Sequence, residues 1–129
     1  MRKEAETHKA IIQYLSVVKK DLIVSSDPNG LKTTMGQAVQ LKKMRLPPEG
    51  KHPDIFVFEP VGKYHGLFIE VKREGEELFK KKAFPPEFKS EHLQKQKEMH
   101  DRLRSKGYAG GFAIGFDEAK EMIDKYFKL

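Results

Sequence analysis

Residues 53–72 read PDIFVFEPVGKYHGLFIEVK, and they carry the clearest structural pattern in the chain. Ile55 to Phe58 is a continuous apolar run, which predicts a central strand. Gly66 to Lys72 predicts a second strand, and the proline and glycine between the two runs favour a turn. Because strand side chains alternate between faces, Glu70 and Lys72 are predicted to share one face of a strongly apolar strand.

Asp54 opens the first of these strands, and a tight connection through Gly62 is expected to bring it beside Glu70. Two carboxylates together make a site for a hard divalent cation such as Mg²⁺, and the backbone carbonyl of Val71 is a candidate third ligand. Lys72 is placed to orient an attacking water and to offset charge that builds on a phosphate. The ordinary alternative is a Glu70–Lys72 salt bridge with Asp54 in a turn, but the combination of Pro-Asp, two apolar strands and E-x-K favours the metal site.

Composition narrows the class of protein. The chain has 129 residues, with 25 Lys and Arg against 19 Asp and Glu, so its net charge is +6. The length predicts one domain, residues 1–129, and no run approaches the roughly 18 to 20 apolar residues that a membrane span requires. The chain has no Cys, which excludes disulfides, thiolate metal sites and a Cys nucleophile.

The net positive charge bears on the binding partners of the protein, and the N-terminal residues bear on its location in the cell. An excess of positive charge suits polyanion partners such as nucleic acid, although a mildly basic surface explains it equally well. The first ten residues contain no apolar segment typical of a secretory signal, so we expect a soluble, cytoplasmic protein without a membrane partner.

The other elements follow from periodicity, capping residues and turn signals. Before the two central strands, we predict a helix from about Lys3 to Lys20, a short strand at Leu22 to Ser25, a DPNG turn at Asp27 to Gly30, a helix capped by Thr34 and running through Met44, and an irregular segment at Leu46 to Pro53. After them, we predict a mobile loop or flap at Arg73 to Lys89 and a helix from Ser90 to Lys106 that is stopped by Gly107. The chain is then predicted to form a strand at Tyr108 to Phe116 and a last helix capped by Asp117 and ending near Phe127. This order predicts one α/β domain with a mixed central sheet flanked by helices.

Two carboxylates lie near the start of the first helix. Projecting that helix backward from Leu15 and Ile11 reaches His8. One turn earlier, Glu4 lies on the same stripe and is predicted to face the sheet, whereas Glu6 falls off it. A charge favoured by the helix dipole is the simpler explanation for Glu4 considered alone.

A glutamine interrupts the apolar face of a later helix. His92, Gln96, Met99 and Leu103 follow helical spacing, so Gln96 is predicted to point inward, unless it lies at the margin of the stripe. A buried amide must find partners, and an active-site carboxylate or phosphate would supply them. His100 is interpreted as a residue of a helix face.

Taken together, these segments resemble the virus-type replication-repair nuclease (VRR-NUC) family of the PD-(D/E)XK nuclease superfamily, especially its small stand-alone phage and viral members. KEAETHKAIIQYL, from residue 3, resembles the first helix of the family. HPDIFVF and GLFIEVKREG resemble its metal-site strands, QKEMHDRLRSKGY its Gln-bearing helix and GFDEAKEMIDKYF its closing helix. The resemblance covers nearly the whole chain, and His8 departs from it because the family commonly has Gln at that place.

The resemblance implies a restriction-endonuclease-like fold and a metal-dependent deoxyribonuclease activity. It implies that the functional set is Asp54 and Glu70 as ligands of Mg²⁺ or Mn²⁺, Lys72 as the catalytic lysine, Glu4 (or, failing that, Glu6) as an extra acidic residue and Gln96 in support. The family hydrolyses DNA phosphodiesters, and its small viral members resemble homodimers that cut branched DNA, including four-way (Holliday) junctions. A location in the host cytoplasm would follow for a viral protein.

Weaker signals concern DNA contacts and assembly. The basic residues Lys42, Lys43, Arg45, Lys80, Lys81 and Lys82 are candidates for phosphate contacts, although charge runs are more often solvated. Phe79, Phe84, Phe88 and Phe127 are candidates for a dimer interface or for packing on their own domain. The competing functions are a non-catalytic DNA-binding module, a flap or nicking nuclease without junction preference, and a sequence-specific restriction-type nuclease, for which the chain is short.

Overall fold

The computed structural model describes residues 3–26, 34–48 and 51–129 of the chain. The helices are α1 (Glu4–Val18), α2 (Met35–Lys43), α3 (Glu91–Ser105) and α4 (Gly115–Phe127), and the strands are β1 (Val24–Ser26), β2 (Ile55–Val57), β3 (Leu67–Lys72) and β4 (Ala109–Ile114). This is the predicted order of elements. The predicted DPNG turn lies outside the described residues.

The strands form one mixed sheet in the order β1-β2-β3-β4. The first two pairings are antiparallel, and β3 and β4 run parallel. In the β2–β3 pair, Ile55 lies opposite Ile69 and Val57 opposite Leu67. That register, continued by one residue, sets Asp54 opposite Glu70.

The two faces of β3 pack against different helices. Its odd-numbered side chains belong to the core that the sheet forms with α1 and α4, together with Ile11 and Ile123. Its even-numbered face packs toward α3, where the ring of Phe68 lies 5.2 Å from that of His100. The predicted alternation is therefore confirmed, and helices cover both faces, so all six residues of β3 are buried.

Helices α2 and α3 begin as the sequence predicts, and α3 also ends as predicted, whereas α2 ends at Lys43 rather than Met44. The Thr34 hydroxyl accepts a hydrogen bond from the Gln37 N–H at 3.1 Å at the start of α2, and the Ser90 hydroxyl accepts one from the Leu93 N–H at 3.2 Å at the start of α3. Gly107 follows α3 with φ of +96°, a conformation that favours glycine at a helix end.

The predicted cap of the last helix is wrong. Helix α4 begins at Gly115, so Asp117 lies within its first turn. Glu118 closes this end instead, because its Oε1 accepts a hydrogen bond from the Ile114 N–H at 3.0 Å. Strand β4 consequently ends at Ile114 rather than Phe116, and β1 begins at Val24 rather than Leu22.

The predicted loop at residues 73–89 is folded as an irregular hairpin. Phe79 and Phe88 form an isolated antiparallel bridge, and their rings stack at 4.7 Å. The ring of Phe88 also lies 6.0 Å from that of Phe112, so the hairpin returns to its own domain.

The four candidate interface phenylalanines separate into two groups. Phe127 packs against the core, and Phe88 is half-buried within the hairpin. Phe79 is 45% exposed and Phe84 is 96% exposed. Among the described helices, none has the length and apolar character needed to cross a membrane.

Candidate active site

Asp54 is held at the end of β2 by the neighbouring strand. Its Oδ2 accepts a hydrogen bond from the main-chain N–H of Val71 at 2.7 Å. Strand β3 extends beyond the last residue pair of β2, and the carboxylate satisfies a donor that the β2 backbone does not reach. The aspartate is buried, with 5% of its surface exposed, so the hydrogen bond fixes a carboxylate inside the protein.

Glu70 is buried beside this aspartate. Only 2% of its surface is exposed. Burial, followed by the nearby Asp54 carboxylate, raises the pKa of Glu70 to about 10. Two adjacent buried carboxylates cannot both ionise at neutral pH without a compensating positive charge. A divalent cation would supply that charge, so the donor set fits a hard metal ion.

His100 contacts Glu70 from helix α3. Its Nε2 lies 3.3 Å from Glu70 Oε1, and its side chain is fully buried. Burial, followed by the cations of Arg104 and Lys97, lowers the pKa of His100 to about 4, so its imidazole is neutral at pH 7. Sequence reasoning assigned His100 to a helix face and did not place it in the site. The available signal was its spacing, since it lies one turn after Gln96 on the same side of α3.

Gln96 is buried as predicted, with 6% of its surface exposed. Its Oε1 has no hydrogen-bond partner among the described residues. Helix α3 also contacts Glu70, so this unpaired amide oxygen fits a site that binds a polar ligand, such as a water molecule.

Lys72 is buried on the same face as Glu70 but does not form the simple salt bridge with it. Among the ion pairs of the described residues, the Nζ of Lys72 lies 4.0 Å from Glu76 Oε2, while Glu70 contacts His100. The ammonium also lies 5.8 Å from the centre of the Phe112 ring. The ordinary alternative from the sequence, a Glu70–Lys72 pair on a strand, is therefore not what the structure contains.

Glu4 lies within electrostatic reach of this group. Partial burial, followed by the charge of Asp54, raises the pKa of Glu4, whereas Lys72 acts in the opposite direction. Glu4 and Glu6 are both exposed on α1. The electrostatic effect of Asp54 on Glu4 favours Glu4 over Glu6 as the first-helix carboxylate. His8 binds elsewhere, with its Nε2 2.5 Å from the Ser26 hydroxyl.

Thr7 is a buried polar residue that sequence reasoning missed. It is fully buried on α1, in line with Ile11 and Leu15, and its hydroxyl has no partner among the described residues. The stripe projected from Ile11 ran through His8 instead. Spacing of four residues from Ile11 back to Thr7 was the available signal.

A cleft of about 290 Å³ lies next to Lys72, between the end of β3 and the start of α3. Lys72, Arg73, Glu76 and His92 line it. Burial, followed by the charges of Lys51 and Lys72, lowers the pKa of His92. The cleft therefore lies beside Lys72, and its walls carry both signs of charge.

The other predicted basic residues lie on the surface. Lys42 and Lys43 are exposed in the last turn of α2, and Arg45 is half-buried just after it. Lys80 forms an ion pair with Glu87 at 3.1 Å in the hairpin, and Lys81 and Lys82 are exposed beside it. Their role as phosphate contacts stays a prediction.

A metal site here would depend on few protein side chains. Across residues 3–26, 34–48 and 51–129, no group of three or more His, Cys, Asp or Glu side chains is arranged to hold a metal ion. The candidate cation site therefore depends on the pair Asp54 and Glu70, with the carbonyl of Val71 as the predicted third ligand.

Comparison with known proteins addresses the fold. No protein-family model matches the sequence, and no curated protein matches it. A solved structure described as a VRR_NUC domain protein superimposes with a TM-score of 0.71 at 22% sequence identity, over 100% of this chain and 91% of the other. The α/β architecture predicted from the sequence is confirmed, and the chain has the VRR-NUC fold along its whole length.

Proposed function

We propose that the chain is a metal-dependent, structure-selective DNA endonuclease that hydrolyses phosphodiester bonds in branched DNA such as four-way junctions. The observation that carries this proposal is the burial of Glu70 opposite Asp54 with a strongly raised pKa. Burying two like charges destabilises a protein, and such pairs are found at functional sites, where a bound cation would offset the repulsion. The VRR-NUC fold supports a nuclease in particular.

Mg²⁺ or Mn²⁺ is the proposed cofactor, with Asp54, Glu70 and the Val71 carbonyl as its ligands. All three are oxygen donors, which hard cations prefer. When bound, the cation would neutralise charge on the scissile phosphate and make a water more acidic. The buried Oε1 of Gln96 offers a hydrogen-bond acceptor to a water in the site.

Three further side chains have proposed roles at the site. Lys72 would orient the attacking water and offset the negative charge that develops on the phosphate. His100 would hold Glu70 in one orientation: when Glu70 is ionised, the neutral imidazole must carry its proton on Nε2 in order to donate across the 3.3 Å contact. Glu4 would supply a further carboxylate at the mouth of the site.

We also propose that residues 1–129 act as one nuclease domain that works as a homodimer. A four-way junction has paired, equivalent strands, and each chain offers a single set of Asp54, Glu70 and Lys72. A two-fold symmetric dimer is the commonest oligomer and supplies two sets. The exposed rings of Phe79 and Phe84 are the proposed interface material.

Cleavage assays test the nuclease proposal directly. Labelled blunt duplex, flap and four-way junction DNA are incubated with the protein and Mg²⁺, Mn²⁺ or EDTA. We expect cleavage only with a divalent cation, fastest on the junction. Asp54→Asn and Glu70→Gln should each lower the rate by at least roughly a hundredfold, because each removes ligand charge.

Glu121→Gln is the matched control, since Glu121 is an exposed carboxylate on α4, the helix that packs on the other face of the sheet. Full activity in folded Asp54→Asn or Glu70→Gln would contradict the site assignment. Tight DNA binding without cleavage would identify a non-catalytic module. Equal rates on flaps and junctions would leave a nuclease without junction preference.

A further inference from the structure

A groove of about 330 Å³ lies between β2, α3 and the chain segment that leads into β2. Its lining includes three aromatic residues, Phe56, Phe58 and Tyr108, and two cations, Arg102 and Lys106. We call these five residues the aromatic groove. The groove is separate from the cleft at Lys72 and carries a different chemistry, since no carboxylate of the described residues lines it.

The aromatic groove begins next to the candidate active site. His52 and Pro53 also line it, and Asp54 follows directly in the chain. Phe56 lies opposite Phe68 in the β2–β3 pair. Strand alternation puts Asp54, Phe56 and Phe58 on the same face of the sheet, and four residues of strand span about 13 Å. A ligand in the groove would therefore reach the buried carboxylates within that distance.

The aromatic rings of the groove present an open surface. Phe56 and Phe58 stack with their centres 5.4 Å apart and their planes inclined by 21°, and Tyr108 meets Phe56 edge-on at 5.3 Å. Phe58 is 51% exposed. A half-exposed aromatic residue at the end of such a stack offers a platform that nothing in the described part of the chain covers.

The cations of the groove are available to a ligand. Arg102 and Lys106 are exposed near the C-terminal end of α3, and neither side chain forms an ion pair with a described residue. Arg104, two residues from each of them, differs: its guanidinium donates to the carbonyl of Gly110 at 2.7 Å and pairs with Asp101 at 3.1 Å. The groove thus combines apolar ring faces with unpaired positive charge, which complements an anionic, base-bearing strand.

We propose that the aromatic groove binds unpaired nucleotides of the DNA substrate, with bases stacked on Phe58 and Tyr108 and phosphates at Arg102 and Lys106. This inference rests on the proposed nuclease function. The base faces of an intact duplex are already stacked on one another, so the rings can engage only bases that have left the duplex. The groove would therefore select flaps, gaps and branch points at which base pairs have opened, and would supply the structure selectivity that the metal site itself lacks.

Binding measurements in EDTA test the groove without cleavage. Fluorescence anisotropy gives the Kd for a labelled oligothymidylate and for a blunt duplex. Phe58→Ala should raise the Kd for the oligothymidylate by roughly five- to a hundredfold, the range expected for loss of one stacked base. Phe58→Leu keeps apolar volume but removes the ring face, so it should lose almost as much. The Kd for the blunt duplex should stay within about twofold of the wild-type value.

Two control variants match these changes. Val17→Ala removes an exposed apolar side chain from α1, on the other face of the sheet. Arg102→Gln should weaken oligothymidylate binding and flatten its salt dependence, whereas Lys125→Gln, with the same change of net charge on α4, should not. A thermal unfolding scan shows whether each variant is folded. If Phe58→Ala does not fold, the binding test is made with Phe58→Leu alone.

Several outcomes would overturn the inference. One is unchanged oligothymidylate binding in folded Phe58→Leu and Arg102→Gln. Another is a Phe58 variant whose light-scattering mass changes while its Kd for the oligothymidylate does not, which would assign the groove to a second copy of the chain. Oligothymidylate binding through Phe58 without any cleavage would refute the nuclease proposal alone, and cleavage that is indifferent to Phe58 would refute the groove alone.

Discussion

The Nε2 of His100 lies 3.3 Å from Glu70 Oε1, and both side chains are excluded from solvent. The rings of Phe68 and Phe112 pack against the imidazole at 5.2 and 4.6 Å, so its position is fixed by contacts on both strands of the parallel pair. A neutral imidazole held in this way can donate one hydrogen bond to Glu70. Because the imidazole is fixed, this hydrogen bond restricts the Glu70 carboxylate to one position.

His100→Phe should therefore weaken cation binding. Phenylalanine fits an aromatic surrounding but offers no donor to Glu70, and loss of a hydrogen-bonding partner behind a metal ligand typically costs about 10–100-fold in metal affinity or activity. Calorimetric titration with Mn²⁺ measures the affinity. Leu93→Met, a volume-conserving change on the same helix, is the control. Unchanged Mn²⁺ affinity in folded His100→Phe would contradict a role for this contact.

Glu70→Gln should stabilise the protein when divalent cations are absent. The pKa of Glu70 in the folded state, about 10, is raised above its ordinary value of 4.5. The folded state then binds more protons than the unfolded state, so the stability that this group contributes is fully present below pH 4.5 and is lost as the pH rises toward 10. The amide carries no charge and escapes this loss.

Thermal unfolding in EDTA across this pH range provides the measurement. At pH 8 the Tm of Glu70→Gln should exceed that of the wild type by about 4 °C for each kcal/mol regained, and its decline with pH should be shallower. Adding Mn²⁺ should raise the Tm of the wild type and leave that of Glu70→Gln nearly unchanged. A wild type that is most stable near pH 9 in EDTA would contradict the raised pKa.

Lys72 should affect turnover more than cation binding. An ammonium does not ligate a cation, so Lys72→Ala should retain Mn²⁺ affinity and lose most of the cleavage rate, at least roughly a hundredfold. Lys72→Met keeps the aliphatic stem beside Phe112 and separates the loss of charge from the loss of packing. If Mn²⁺ affinity collapsed while the turnover of metal-saturated protein stayed normal, the role given to Lys72 would be wrong.

The protein should be a dimer at micromolar concentration. Static light scattering should give twice the chain mass of 14.9 kDa, and Phe84→Ser should shift the mass toward the monomer because Phe84 is 96% exposed. Val17→Ser is the control at another exposed apolar position. A monomeric mass, together with cleavage of flaps but not of junctions, would exclude a dimeric junction-cutting enzyme and leave the nuclease proposal intact.

Much of the fold could be predicted because its strands are bounded by strong local signals. The runs that became β2 and β3 are apolar and flanked by proline or glycine, so their positions and the face shared by Glu70 and Lys72 followed from alternation. The cap of α4 could not be predicted in the same way. Asp117 and Glu118 are both acidic residues of the first turn, and the choice depends on where β4 ends, which pairing with β3 decides.

The site was predictable where it lies on strands and less so where it lies on helices. Asp54 and Glu70 are brought together by the register of two adjacent strands. His100 and Thr7 depend on how far α3 and α1 are rotated about their axes against the sheet. For a polar residue at the edge of an apolar stripe, helical spacing alone does not fix that rotation, so both were missed while Gln96, near the centre of its stripe, was found.

The parallel pairing of β3 and β4 has a kinetic consequence. The chain must cross from one end of the sheet to the other between these strands, and the crossover, residues 73–108, includes α3. Until that long crossover closes, Glu70 is not covered by His100 and Phe112, and its carboxylate can ionise freely in water. The penalty of two buried carboxylates thus arises only when the β3–β4 pairing and its crossover have formed. Shortage of divalent cation would accordingly slow the closing of this crossover or accelerate its opening, and leave the folding steps that precede it unchanged.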